Sequence, residues 1–163
     1  MTLDAAQRRA ILADPAGWIA SGFGAGLSPY APGTVGSAVA LIPWIALREL
    51  SWPIHLAIVV LAFVLGIWAS NRVIATLRID DPGVIVWDEF VGQWIACIPL
   101  LFVTHDARWI ALAFVLFRAF DIGKPWPVSW ADRRIKGGFG VMFDDVLAGV
   151  YAAGSLALLM YMI

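Results

Sequence analysis

Apolar residues run in five blocks along the chain, at roughly 35–50, 54–74, 84–104, 109–123 and 145–163. A membrane helix needs about 20 apolar residues to cross roughly 30 Å of hydrocarbon. The second, third and fifth blocks meet that length, and the first and fourth fall short of it. The pattern predicts an all-α chain: a small polytopic membrane helix bundle of about five membrane segments, forming a single domain over residues 1–163. Ahead of the blocks, Leu3, Ala6, Ala10 and Ile11 share one helical face, with Arg8 and Arg9 elsewhere. This predicts a short amphipathic helix at the membrane surface. Asp14-Pro15 then reads as an N-cap followed by proline at the first helical position. No apolar run adjoins the N-terminal charges, so this segment is not expected to be a signal peptide.

Composition strengthens the membrane reading. Hydrophobic residues make up 61% of the chain and charged ones 14%, against about 45–50% and 25% in a typical soluble domain. The mean hydropathy is +0.83. The net charge of −1 conceals a positional bias. With the N-terminus inside, Arg8, Arg9, Arg72, Arg78, Lys124, Arg133, Arg134 and Lys136 face the cytoplasm, and only Arg48 and Arg108 face out. The positive-inside rule therefore favours an N-in, C-out topology. The arginines lie among acidic neighbours and form no long basic stripe, so nucleic acid is not an expected partner. The lone Cys97, in an apolar block, excludes an internal disulfide and a cysteine-rich zinc site.

That topology gathers the acidic residues. Asp88 and Glu89 open the third block, Asp121 closes the fourth, and Asp144 with Asp145 opens the fifth, all toward the cytoplasm. His55 and His105 fall at the opposite ends, so the expected chemistry does not use histidine. A helix dipole stabilises an acid in the first turn by about 0.3–1 kcal/mol. It explains adjacent acids poorly and Asp121, at a helix end, not at all. Asp121 has a local alternative, an ion pair with Arg118 three residues upstream. The functional reading is that these carboxylates converge on a hard divalent cation, and oxygen ligands without a His or Cys cluster point to Mg2+.

The run Gly22-Phe23-Gly24-Ala25-Gly26-Leu27-Ser28-Pro29-Tyr30-Ala31-Pro32-Gly33-Thr34-Val35-Gly36-Ser37 leads directly into the first block. It is neither a Rossmann turn nor a Walker loop, having no preceding strand and no Gly-Lys-Ser/Thr ending. Its free N–H groups at a helix start, with Thr34 and Gly36, suit a phosphate, and Thr34 and Ser37 could instead cap the helix. Arg118 and Lys124 in Phe117-Arg118-Ala119-Phe120-Asp121-Ile122-Gly123-Lys124-Pro125-Trp126-Pro127 could clamp the same anion, while snorkelling is the plainer role for Lys124. Gly137-Gly138-Phe139-Gly140 reads as a pliable loop. Most tryptophans read as interfacial anchors, and Ala148, Gly149, Ala152, Ala153 and Ala157 as a small-residue packing face.

Together, GFGAGLSPYAPGTVGS, WDEFVGQW, FRAFDIGKPWP and GGFGVMFDDVLAGV, in this order, resemble the phosphatidylglycerophosphatase A family. The resemblance implies a Mg2+-dependent, multi-pass enzyme of the bacterial inner membrane. Its site would face the cytoplasm, hydrolysing the terminal phosphate of phosphatidylglycerophosphate to give phosphatidylglycerol and inorganic phosphate. Asp88, Glu89, Asp121, Asp144 and Asp145 would then supply the metal ligands and the catalytic acid–base group, and Thr34, Gly36, Arg118 and Lys124 would bind the phosphate. Other phosphatase designs lack their residues here: Cys97 is followed six positions later by Val103 where a cysteine phosphatase needs Arg, and no Asp-x-Asp occurs. A lipid-head-group transferase or a cation-binding membrane scaffold remain as alternatives. The first lacks its Asp-x-x-Asp-Gly-x-x-Ala-Arg pattern, and the second would spread its charges through the membrane.

Overall fold

The computed structural model describes residues 3–102 and 106–162. Among them are eight α-helices, two short 3-10 turns and no strand. The His105 expectation lies outside the described residues. The N-terminal signals act as read. Asp4 and Gln7 form a reciprocal capping box at the start of α1 (Ala5–Ala13). Asp14 Oδ1 accepts the N–H of Ala16 (2.9 Å) to start α2 (Pro15–Ala20). That N–H, and then the Arg72 guanidinium 3.1 Å away, hold the Asp14 carboxyl below its usual pKa. Of the expected apolar face, Ile11 is buried and Leu3 half-buried against Ala16, Ala20, Val73 and Val84, while Ala6 and Ala10 are exposed.

The apolar blocks become α3 (Pro32–Leu47), α4 (Trp52–Leu77), α5 (Trp87–Ala96), α6 (Ala107–Gly123) and α8 (Gly137–Met162), with a short α7 (Val128–Arg134) before the last. Only α4 and α8, of 26 residues each, are both long and apolar enough to cross a membrane by length and composition. They measure about 39 Å at 1.5 Å per residue. The 84–104 block is not one helix. α5 has ten residues, about 15 Å, and its C-cap Cys97 leads into a 3-10 turn at Ile98–Leu101 that contains Pro99. The start of α8 also differs from expectation. The Gly137–Gly140 stretch is its first turn, because Asn71 Oδ1 at the end of α4 accepts the N–H of Gly138 (2.8 Å). Asp144 and Asp145 therefore lie two turns inside a helix, beyond the reach of its terminal dipole.

α5 sits at the centre, with nine of its ten residues buried and only Asp88, in its first turn, partly open. It packs against α3, α4, α6 and α8. Its tryptophans are core residues and not anchors: Trp87 and Trp94 donate their indole N–H to the carbonyls of Ala62 and Ala40 (2.9 and 2.8 Å). Trp44 is buried beside them, whereas Trp18, Trp52, Trp126 and Trp130 are exposed. The α5–α8 contact is made backbone to backbone. A Cβ on Gly149 would lie 2.5 Å from Gly92 O, and one on Gly92 2.4 Å from the Phe117 ring. Ala148 and Ala152 share this small face, while Ala157 is exposed.

Overpacking of this kind costs about 1–3 kcal/mol. Gly92→Ala and Gly149→Ala should each lower the thermal midpoint in detergent. Gly154→Ala, on the same helix with nothing within 4 Å of the new methyl group, should leave it unchanged or raise it through helix propensity.

Candidate active site

Five helices and the loop after α4 converge on one open cavity of about 650 Å3. The first turn of α3 contributes Pro32, Gly33 and Thr34, and the loop after α4 contributes Asp80, Asp81 and Gly83. The start of α5 brings Asp88 and Glu89, the end of α6 brings Arg118, Asp121 and Lys124, and α7 with α8 brings Asp132, Arg133, Lys136, Asp144 and Asp145. All five carboxylates singled out in the sequence line this cavity, together with Thr34, Arg118 and Lys124.

Two cations organise three of the five. The Arg118 guanidinium pairs with Glu89 and, at 2.8 Å, with Asp121 one helical turn along. Ser37 Oγ completes the cluster, 2.7 Å from Glu89 Oε2 and accepting from Arg118 at 3.3 Å. Lys124 Nζ bonds Asp132 and Asp144, the latter at 2.8 Å. Burial alone would lower the Lys124 pKa, but the bonds to Asp132 and Asp144 outweigh it and raise it above the usual value. The ammonium stays charged at neutral pH. Asp88 and Asp145 have no cationic partner among the described residues. Asp88 Oδ1 accepts the N–H of Glu89 (2.9 Å), and Asp145 Oδ2 is buried with no hydrogen bond.

α3 begins hard against the arginine cluster. A Cβ on Gly33 would lie 2.1 Å from Glu89 Oε1 and 3.2 Å from Arg118 Nη2, so any side chain there must displace the Glu89 carboxylate. Ala31, at the N-cap, adopts a left-handed φ of 42° and offers no side-chain cap. The first-turn N–H groups thus open toward the cavity that Gly33 and Thr34 line. Thr34 does not cap the helix.

The charge balance of the lining is lopsided. Eight carboxyl side chains face four cationic ones. No three acids stand together as a ready-made metal cage among the described residues, because Glu89, Asp121 and Asp144 are already drawn to Arg118 or Lys124. A hard divalent cation does not need such a cage. Magnesium is commonly held by one or two carboxylates, with waters and substrate phosphate filling the remaining positions. Asp88 and the orphaned Oδ2 of Asp145 fit that requirement.

Residues 18–160 match the family model described as phosphatidylglycerophosphatase A. The chain belongs to the phosphatidylglycerophosphatase A family. It is 42% identical over 153 residues to the phosphatidylglycerophosphatase A of Escherichia coli (strain K12), covering 94% of this chain and 88% of that one. It is 43% identical over 155 residues to the phosphatidylglycerophosphatase A of Haemophilus influenzae, covering 93% of each. A Bacteroides thetaiotaomicron protein provisionally named a phosphatidylinositol-3-phosphatase is 47% identical over 143 residues, covering 82% of this chain and 86% of that one. No solved structure matches this chain.

In this phosphatidylglycerophosphatase A family member, Gly36 is the one singled-out site residue that does not line the cavity. It is buried, and a Cβ there would lie 2.7 Å from Val86 Cβ, so it serves helix-to-loop packing. Asp132, which no sequence pattern singled out, is a partner of Lys124. Asp80 and Asp81 went unnoticed. Their signal was present, since Asp80-Asp81-Pro82-Gly83 repeats the adjacent-acid pattern of Asp88-Glu89 on the same side of the expected topology.

Removing one partner of a buried ion pair costs about 3–5 kcal/mol. Arg118→Gln should therefore lower the thermal midpoint clearly, with Arg118→Lys recovering part of the loss. Gly33→Ala should leave the helical content intact by circular dichroism while abolishing phosphate release, because the new methyl displaces Glu89.

Proposed function

We propose that this chain hydrolyses the terminal phosphate monoester of phosphatidylglycerophosphate, in a Mg2+-dependent reaction at the cytoplasmic face of the bacterial inner membrane. The observation that carries this reading is a cavity lined by twice as many carboxylates as cations, two of which, Asp88 and Asp145, make no ion pair among the described residues. A phosphate monoester cannot settle in such a field unless a cation enters with it. The names of the two phosphatidylglycerophosphatase A relatives supply the substrate.

The membrane setting is supported by what the helices expose. Only 33% of the most apolar window of α4 is buried inside the fold, and 28% of that of α8. The outer face of α4 presents Val60, Leu61, Val64, Leu65 and Trp68. So large an apolar surface suits lipid and would be a liability in water. α3 and α6 complete a membrane bundle around α5, and the positive-inside bias turns the cavity toward the cytoplasm.

The roles follow from the partners. Asp88 and Asp145 would hold magnesium. The bound ion would offset the phosphate charge and lower the pKa of a coordinated water. Lys124 uses two of its three donors on Asp132 and Asp144, which leaves one for a phosphoryl oxygen. The Gly33 and Thr34 backbone would hold a second oxygen. Arg118, fixed between Glu89 and Asp121, holds those acids in place and adds positive potential behind the phosphoryl group. A water oxygen then bonds to phosphorus as the bond to the glycerol oxygen breaks. A cavity carboxylate takes one proton from that water and passes it to the departing glycerol oxygen, so that the free hydroxyl of phosphatidylglycerol and hydrogen phosphate result.

Purified protein in detergent should release phosphate from phosphatidylglycerophosphate with magnesium and not with EDTA, leaving phosphatidylglycerol. Asp88→Asn and Asp145→Asn should each reduce release at least a hundredfold in folded protein. Phosphatidylinositol 3-phosphate, assayed in parallel, tests the name carried by the Bacteroides relative. Release from that lipid alone would overturn the substrate assignment, and metal-independent release would overturn the magnesium role.

A further inference from the structure

The four cations that line the cavity differ in what they are doing. Arg118 is engaged by Glu89, Asp121 and Ser37, and Lys124 by Asp132 and Asp144. Lys136 Nζ donates to the carbonyl of Asp132 at 3.3 Å. Arg133 makes no hydrogen bond or ion pair among the described residues, although it lines a cavity rich in acids. It sits in the last turn of α7, exposed to solvent. Trp130 on the same short helix and Trp126 just before it are 47% and 76% exposed. Tryptophans so placed mark the lipid head-group level.

Resting on the phosphatase reading above, we infer that Arg133 is a specificity residue that binds the phosphodiester of the lipid head group while the monoester occupies the acidic end of the cavity. A phosphatidylglycerophosphate head group carries two phosphates of different kinds, a terminal monoester and a diester joining the glycerol to diacylglycerol. The acidic end, with Asp88, Asp145 and Lys124, takes the monoester. The diester lies one polyol away, toward the acyl chains and α7, the helix that carries both Arg133 and the exposed Trp130. It carries one negative charge and two free oxygens, which can accept two parallel N–H bonds from one guanidinium. A free arginine at the rim is thus paired by the substrate instead of by the protein. The chemical class so selected is a phospholipid whose monoester is separated from a phosphodiester by a polyol. Phosphatidic acid, which has a monoester but no diester, falls outside it.

The test is steady-state hydrolysis of phosphatidylglycerophosphate in mixed micelles by wild type, Arg133→Gln, Arg133→Lys and Arg134→Gln, with phosphatidylglycerol and inorganic phosphate as inhibitors. Arg134, next along the helix, is exposed but does not line the cavity. Arg133→Gln should raise KM about tenfold, the factor one charge-assisted hydrogen bond of ordinary strength supplies, with kcat within about twofold. Inhibition by phosphatidylglycerol, which keeps only the diester, should weaken in parallel, and inhibition by inorganic phosphate should not change. Arg133→Lys should fall between the two, and Arg134→Gln should match wild type. An unchanged KM in Arg133→Gln, or an equal rise in Arg134→Gln that marks general attraction to anionic lipid, would overturn the inference. A wild type that releases no phosphate at all would instead sink the phosphatase reading on which it rests.

Discussion

The Arg118 guanidinium is the interaction on which the positions of three helices depend. It projects from α6, meets Glu89 at the start of α5, and shares Ser37 on α3 with that same carboxylate. A buried charge pair is expensive unless its remaining donors and acceptors are satisfied. The requirement to satisfy them fixes how closely α3 can approach, down to the missing Cβ of Gly33. α5 is buried but for the partly open Asp88, so its depth and rotation are set by its neighbours. The arginine cluster holds its polar end, while the Gly92–Gly149 contact holds it against α8.

The acids fall into two groups through this arrangement. Glu89, Asp121 and Asp144 are structural counter-charges for Arg118 and Lys124. Asp88 and Asp145 come from α5 and α8, the two helices in backbone contact, and make no ion pair among the described residues. A cavity that is acidic overall, yet has rigidly held cations within it, can accept a metal and an anion together more readily than either alone. This coupling favours a substrate that arrives with its cation, as phosphate esters do in the presence of magnesium.

Much of the site was legible in the sequence, and for a physical reason. Charges at the edges of apolar blocks have few places to go, so topology alone brought Asp88, Glu89, Asp121, Asp144 and Asp145 to one side. The Arg118–Asp121 pair followed from helical spacing. What hydropathy could not distinguish was a segment buried in protein from one buried in lipid. The 84–104 block is long enough for a spanning helix, yet α5 within it is ten residues long, and its tryptophans bond carbonyls of α3 and α4. The start of α8 was hidden because glycines signal a loop, whereas here they admit α8 to the end of α4 and Asn71 receives the freed N–H. Gly36 was misplaced for a similar reason, since a glycine that makes room for Val86 looks the same in sequence as one that makes room for phosphate. The Lys124–Asp132 pair crosses a proline-rich turn, and no periodic spacing announces it.

The two turns by which α8 precedes its acids have a consequence for what happens after hydrolysis. From Gly137 to Asp145 the helix rises about 12 Å, a little more than the roughly 9 Å by which its length exceeds the hydrocarbon thickness. On the proposed reading the reacting phosphorus then lies at the boundary where water ends and hydrocarbon begins. The two products part there by solubility: phosphate has only water to enter, and the dephosphorylated lipid only the leaflet it never left. Separation of products at such a boundary needs no moving lid, and diffusion in two different phases makes their re-encounter rare.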